Sequence, residues 1–391
     1  MQIMSAFERL SQMNEYINLE PADERSCQGF LESTPKAQLS KQRVDPKIGS
    51  AVLPNGKRIR LLKTLLTSAC ERNCYYCPFR AGRDFRRETF KADEMASTFM
   101  ALWRGGVAEG LFLSSGVAGG GLRTQDQLLA TVEILRKKYR YQGYIHLKLM
   151  PGAEYDQVEQ AMRLADRVST NLEAPNPQRL NLLAPGKDFI EELLQPLHWV
   201  QDIRTNKPGW YGWKRHWPSV TTQYVVGAVG ESDLELLTTT QTLNRQLGLA
   251  RAYFMAFNPV RDTPFENVPA ESPLRELRLY QASFLLRDYG FDVEELPFNQ
   301  KGLLPDDRDP KTAWAQSHLT EEPLEINLVG PEQLLRIPGI GPKGVKAILN
   351  ARKKTKLRGL EDLRQIGINP NRSAPFILLD GQRPAKQLAL L

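Results

Sequence analysis

Residues 68–79 read SACERNCYYCPF and set Cys70, Cys74 and Cys77 in a C-x3-C-x2-C spacing just beyond an apolar run. Thiolate sulfur is the usual protein ligand of iron–sulfur clusters. Three thiolates on one tight loop can hold three irons of a 4Fe–4S cube and leave the fourth open to another ligand. A zinc ion is the rival reading. A structural zinc site takes four ligands, commonly as paired C-x2-C or C…H sets. Here there is no second pair, and His146, His198, His216 and His318 are scattered. The fourth cysteine, Cys27, stands alone and cannot build a second cluster of the usual kind. It reads as a bland thiol, with a radical relay or methyl acceptor as the alternative.

Elements that alternate in type must carry this loop. β-rich runs fall at 59–66, 111–114, 144–149, 168–172, 221–226 and 252–256, and helical patterns fall at 92–103, 124–140, 156–165, 188–198 and 231–247. Each strand-to-strand step of about thirty residues or more is the size of a βαβ unit. Six in series imply a parallel sheet, barrel-like or doubly wound. A helix at 273–289 and an edge strand at 291–296 follow. Residues 1–55 are polar and weakly periodic, with a short helical opening at 5–16. The Pro- and Asp-rich residues 299–323 read as a linker. The expected divisions are therefore 1–55, 56–298, 299–323 and 324–391.

The chain has 391 residues, 41% hydrophobic and 25% charged, which is ordinary for a globular protein and excludes collagenous, coiled-coil or wholly disordered chains. No apolar run is long enough for a bilayer, so no membrane partner is expected. The first residues lack a secretory h-region, and four cysteines cannot form a disulfide scaffold. A cytoplasmic location is the expectation. Charge is placed unevenly. Residues 326–391 hold twelve basic and four acidic side chains, a net +8 against +7 for the whole chain. That asymmetry suits a polyanion-binding module, or a solvated face.

The cysteine spacing, with aromatic Tyr76 just before the last cysteine, resembles the C-x3-C-x-Φ-C signature of the radical SAM superfamily. The resemblance implies a full or partial (β/α) barrel with its site at the C-terminal strand ends. It implies a 4Fe–4S cluster on Cys70, Cys74 and Cys77, with S-adenosylmethionine on the open iron. It also implies cleavage of the cofactor to a 5′-deoxyadenosyl radical, fed by a donor such as flavodoxin or ferredoxin. Carried onto this sequence, it makes Tyr76, Ser114, Ser115, Gly116, Glu173 and Gly227 the cofactor-side candidates. The family's Gly-Gly-Glu-like turn lacks its acid after Ser114. Glu173 ends the fourth parallel strand, as a cofactor contact or a surface acid. Gly227 opens a turn similar to the family's Gly-x-x-Gly-Glu. An aromatic, basic insert at 207–217 (KPGWYGWKRHW) is a further candidate for the substrate side, by base stacking and phosphate contact or by capping the barrel mouth.

In the basic tail, IPGIGPKGVK fits two helices joined by a tight glycine turn, with Pro342 at a first helical position. Amides bared at the second helix's N-terminus suit a phosphate without reading bases. The string resembles the helix-hairpin-helix motif of DNA repair proteins. It makes Gly339, Ile340, Gly341, Lys343, Gly344 and Lys346 the DNA-contact candidates. A purely structural hairpin is the alternative, and residues 360–368 read as a degenerate second copy. The whole chain is similar to a radical SAM group described as DNA modification or repair proteins. The expected fold is thus α/β: a partial (β/α)6 TIM-type radical SAM barrel with a small all-α helix-hairpin-helix domain. The expected function is radical modification or repair of DNA. The alternatives are an RNA (tRNA) modification enzyme and a DNA-binding iron–sulfur redox sensor that does not cleave S-adenosylmethionine.

Overall fold

The computed structural model describes residues 5–17, 48–52 and 56–384; the expectation for Cys27 lies outside them. The chain folds into two compact units, residues 1–231 with 242–273, and residues 232–241 with 274–391.

After α1 (Ala6–Ile17), the strands are β1 (Gly49–Val52), β2 (Arg58–Leu65), β3 (Gly110–Ser114), β4 (Tyr144–Lys148), β5 (Arg167–Ser169), β6 (Ser219–Val226) and β7 (Arg251–Ala256). They lie side by side in chain order. β2 to β7 are parallel throughout. Their apolar runs are those of strands covered on both faces. The connections are α2 (Ala92–Arg104), α3 (Gly121–Glu133), α4 (Tyr155–Leu164), α5 (Pro177–Leu183) with α6 (Gln195–Asn206), and α7 (Asp233–Leu247). The strand order never reverses, as a doubly wound sheet requires. Right-handed crossovers then place every helix on one face, and the sheet curls around the other. This is the partial (β/α)6 barrel.

Local chemistry explains the departures from expectation. β1 is a seventh strand, antiparallel to β2, with Gly49 opposite Leu61 and Val52 opposite Arg58. α5 starts where Asn176 accepts the Arg179 N–H at 2.9 Å, with Pro177 at its first position. Such an N-cap with proline is a strong helix start. The expected edge strand at 291–296 is one helical turn, Val293–Glu295, capped by Asp292 and Glu295. The N-terminal segment belongs to the first unit: Leu10 and Met13 are buried, and Arg9 pairs with Glu88 at 3.1 Å and Glu94 at 2.6 Å.

The second unit holds α8 (Pro273–Asp288), α9 (Pro310–His318), β8 (Leu324–Glu325), α10 (Pro331–Arg336), α11 (Pro342–Arg352), α12 (Leu360–Gln365) and β9 (Ile377–Leu378). It is helical except for the two-residue parallel ladder of β8 with β9. Its core joins Ala315 and Leu319 to Leu334, Ile340, Ile348 and Leu363. Residues 299–323 therefore contain core-forming helix rather than bare linker. Asp309 caps α9 by accepting the Thr312 N–H at 3.1 Å, with Pro310 at the first position. Among the described residues, no helix is long and apolar enough to cross a membrane.

Candidate iron–sulfur site

β2 runs straight into the cysteine loop, and the loop's backbone is tied on every side. Ser68 exchanges hydrogen bonds with the Glu88 main chain at 2.8–3.3 Å. Arg87 donates to the carbonyls of Ser68, Phe79, Arg80 and Arg83 at 2.8–3.2 Å. The Glu71 N–H meets the Val117 carbonyl at 2.8 Å, and its carboxylate accepts from the Gly119 and Gly120 N–H groups. The loop after β3 comes so near that a Cβ on Gly116 would lie 2.2 Å from the Ala69 carbonyl oxygen. Only glycine permits that approach.

Cys70, Cys74 and Cys77 line one cavity together with Tyr76, Ser114, Ser115, Gly116 and Glu173. Eight of the nine expected cluster and cofactor positions thus converge. The cavity is open to solvent on one side. Gly227 is not among its lining residues. It opens the turn after β6 at φ +95°, where the buried Glu231 carboxylate accepts its N–H. A Cβ there would strike Glu271.

Glu173 is buried, at 4% exposure, so it is not a surface acid. Its backbone takes φ +65°, a left-handed conformation that costs an L-residue roughly 1–2 kcal/mol. Hydrogen bonds to the Gln223 carbonyl and from the Val225 N–H, at 2.9 and 2.8 Å, hold it there. Lys187 Nζ lies 2.8 Å from Glu173 Oε1. Burial by itself would raise the Glu173 carboxyl, but the Lys187 charge, helped by Lys148 and the Tyr76 hydroxyl, holds it below the usual range. Burial likewise pulls Lys187 down, and the Cys74 and Glu173 charges more than reverse this. The Cys74 thiol is pushed up by burial, with Lys187 opposing. Lys187 therefore stands as the counter-charge to the Glu173 carboxylate and lies within electrostatic reach of the Cys74 sulfur.

Three thiols on one cavity wall suit a cluster. Among the described residues, no three His, Cys, Asp or Glu side chains gather closely enough for one metal ion, as a zinc site requires. Ser115 Oγ and Thr170 Oγ1 are buried on the cavity wall and have no hydrogen-bond partner among the described residues. Such groups need a partner in the bound state.

Several cavity residues escape the sequence reading: Lys63, Arg72, Lys148, Thr170, Lys187 and Gln223. Two of them carry a signal. Lys63 and Lys148 are ammonium groups set within otherwise apolar strands, β2 and β4. The aromatic insert at 207–217 belongs elsewhere. It precedes β6, and the end of the barrel opposite the strand C-termini receives it. There Lys214 pairs with Asp166, just before β5, at 2.8 Å, and the Arg136 guanidinium lies 3.8 Å from the centre of the Trp213 ring. It neither caps the cysteine loop nor lines its cavity.

The chain thus sets three closely spaced thiols beyond the strand ends of a curled parallel half-barrel. Residues 64–212 match the family model of the radical SAM superfamily. The cofactors of that superfamily are a 4Fe–4S cluster and S-adenosylmethionine. Cys70, Cys74 and Cys77 are the residues that would hold the cluster. When bound, it would supply the electron that cleaves S-adenosylmethionine.

Similar solved structures include the FeFe-hydrogenase maturase HydG from Carboxydothermus hydrogenoformans, 16% identical over 58% of this chain and 51% of that one, with TM-score 0.45. Methylornithine synthase is 13% identical over 73% and 70%, with TM-score 0.46. A radical SAM methyltransferase from Sphaerobacter thermophilus is 17% identical over 60% and 68%, with TM-score 0.43. The chain spans about half the length of the maturases it matches. Among curated proteins, no sequence matches.

Proposed function

We propose that the protein is a radical SAM enzyme that modifies or repairs DNA, held on its substrate by a helix-hairpin-helix contact in the second unit. The observation that carries this is the turn between α10 and α11. Gly339 is exposed, Gly341 is half-buried, and Ile340 anchors the turn in the core. At the start of α11, the N–H groups of Lys343 and Gly344 precede the first intrahelical acceptors. Lys343 and Lys346 are exposed beside them. Unused amides with adjacent ammonium groups suit a phosphate and carry no base information. The net +8 of residues 326–391 adds the longer-range attraction. A ferredoxin- or flavodoxin-type donor would supply the electron.

The test is anaerobic. The reconstituted protein is given S-adenosylmethionine and a strong reductant, and 5′-deoxyadenosine is quantified with and without duplex DNA. Formation that DNA increases supports the proposal. Formation that responds to folded RNA and ignores DNA turns it to an RNA enzyme. An intact cluster with no formation under any condition leaves a redox-sensing role.

A further inference from the structure

The inner wall of the barrel carries two ammonium groups. Lys63 on β2 and Lys148 on β4 reach the same ring, with their ammonium groups 5.5 and 5.9 Å from the centre of Phe112 on β3. Both lysines line the cavity that holds the three cysteines, and both are half-buried. Lys148 donates to Asn171 Oδ1 and bears on the charge of Glu173. Lys63 has no carboxylate partner among the described residues. Beside them, Thr170 on the same wall keeps a buried, unpartnered hydroxyl, and Gln223 completes the lining. Behind the lysines, His146 is fully enclosed and bonded to Ser169 at 2.8 Å. Burial, with the charges of Arg167, Lys148 and Lys63, holds its basicity well below normal, so it adds no charge.

An ammonium group such as that of Lys63, half-buried without a carboxylate partner, is costly to desolvate, and a ligand anion relieves that cost. Lysine binds phosphate as a point charge, whereas a planar carboxylate is matched best by an arginine fork. The arginine in this cavity, Arg72, is engaged by Glu192 and the Gly186 carbonyl. We propose that Lys63 and Lys148, with Thr170, form the substrate subsite of the barrel and that it takes a phosphate ester of a nucleotide. This rests on the reading of the substrate as nucleic acid. An enzyme that works on one nucleotide of a duplex must extrude it, and the extruded nucleotide brings its phosphate along.

The experiment is equilibrium binding, by calorimetry, to cluster-loaded full-length protein at fixed ionic strength. The probes are thymidine 5′-monophosphate, inorganic phosphate, thymidine and S-adenosylmethionine. The monophosphate is expected to bind at least about tenfold more tightly than thymidine. Lys63→Gln and Lys148→Gln should each lose about tenfold or more for the monophosphate, as charge-assisted hydrogen bonds do. Lys63→Arg should retain most of the affinity. Unchanged cluster absorption and thermal midpoint establish that the variants are folded. A short single-stranded oligonucleotide that binds more tightly than the monophosphate and loses the same factor assigns the site to polymer; the reverse order assigns it to free nucleotide. Equal binding of thymidine and its monophosphate, or variants that keep full affinity, overturns the subsite. So do variants that weaken S-adenosylmethionine instead, because the lysines then serve the cofactor. Loss of DNA stimulation with this subsite intact would remove the DNA reading alone.

Discussion

Replacing Lys187 by methionine tests the electrostatic account of the site most directly. The ammonium lies 2.8 Å from Glu173 Oε1, and both side chains are at most one-tenth exposed. At that separation an effective dielectric of ~20 gives an attraction on the order of 6 kcal/mol. Much of it is offset by desolvation, but removing one partner leaves the other charge buried. Such truncations cost about 3–5 kcal/mol. Lys148 and the Tyr76 hydroxyl still favour the carboxylate, which places Lys187→Met at the lower end, near 3 kcal/mol. At about 2–4 °C per kcal/mol for a unit of this size, the midpoint should fall by roughly 6–12 °C. The sign with pH follows from Glu173. In the native protein its carboxyl is held below its usual value, so its contribution is present at neutral pH and is lost as pH falls through the native pKa. In Lys187→Met, burial raises the same carboxyl, which takes up a proton as pH falls, so the penalty shrinks towards pH 5.5. The assay is anaerobic thermal unfolding by circular dichroism at pH 8 and pH 5.5, on metal-free protein so that cluster loss does not enter. Lys187→Met, Glu173→Gln and the double variant complete a cycle. A loss under 1 kcal/mol, or a double variant no more stable than the sum of the singles requires, would falsify the pairing.

Three further outcomes follow from other places. Gly116→Ala should displace the cysteine loop, because its Cβ would meet the Ala69 carbonyl oxygen at 2.2 Å; cluster content per chain, measured as iron and sulfide, should drop well below wild type with the fold retained. Lys343→Gln with Lys346→Gln should weaken duplex DNA about equally for all sequences and reduce the slope of log affinity against log salt by about 2; an unchanged slope would exclude both residues as phosphate contacts. Lys311, which is buried and donates to the Ile340 carbonyl at 2.6 Å, has its basicity pulled down to about 7 by burial. The unfolded chain then binds the extra proton between about pH 7 and 10.5, so stability rises with pH there by up to ~1.4 kcal/mol per unit. Lys311→Met should flatten that rise in the thermal midpoint, and a wild-type profile that is already flat would contradict it.

The parallel strands were legible because strands buried on both faces are apolar runs, and all six fall within a few residues of their expected places. That Cys70, Cys74 and Cys77 would share one cavity was legible from their spacing. β1 was not, since GSAV is too short and too plain to announce pairing with β2. The start of α9 had a readable signal, Asp309 before Pro310, that proline-rich surroundings obscured. Composition misplaced the aromatic insert, whereas topology places it correctly. A segment after a helix and before a strand lies at the strands' N-terminal end, remote from a site at their C-terminal ends. Lys63 and Lys148 were readable as polar residues at inward positions of apolar strands. Lys187 was not, because its importance comes from Glu173, with which it makes contact only through the fold.

The composition of the second unit decides how this protein can be taken apart. Residues 232–241 enter it from the middle of the chain, ahead of β7, and α9 supplies Ala315 and Leu319 to the core that also encloses the glycine turn. A fragment begun at residue 324 would leave that core open, and one begun at 274 would still lack its inner segment. The basic tail is therefore not a detachable cassette. Transplanting it onto another protein, or trimming it from this one, would expose apolar surface on both pieces. Variation in how it grips a polyanion is open to change by substitution at the surface, not by exchange of the whole segment.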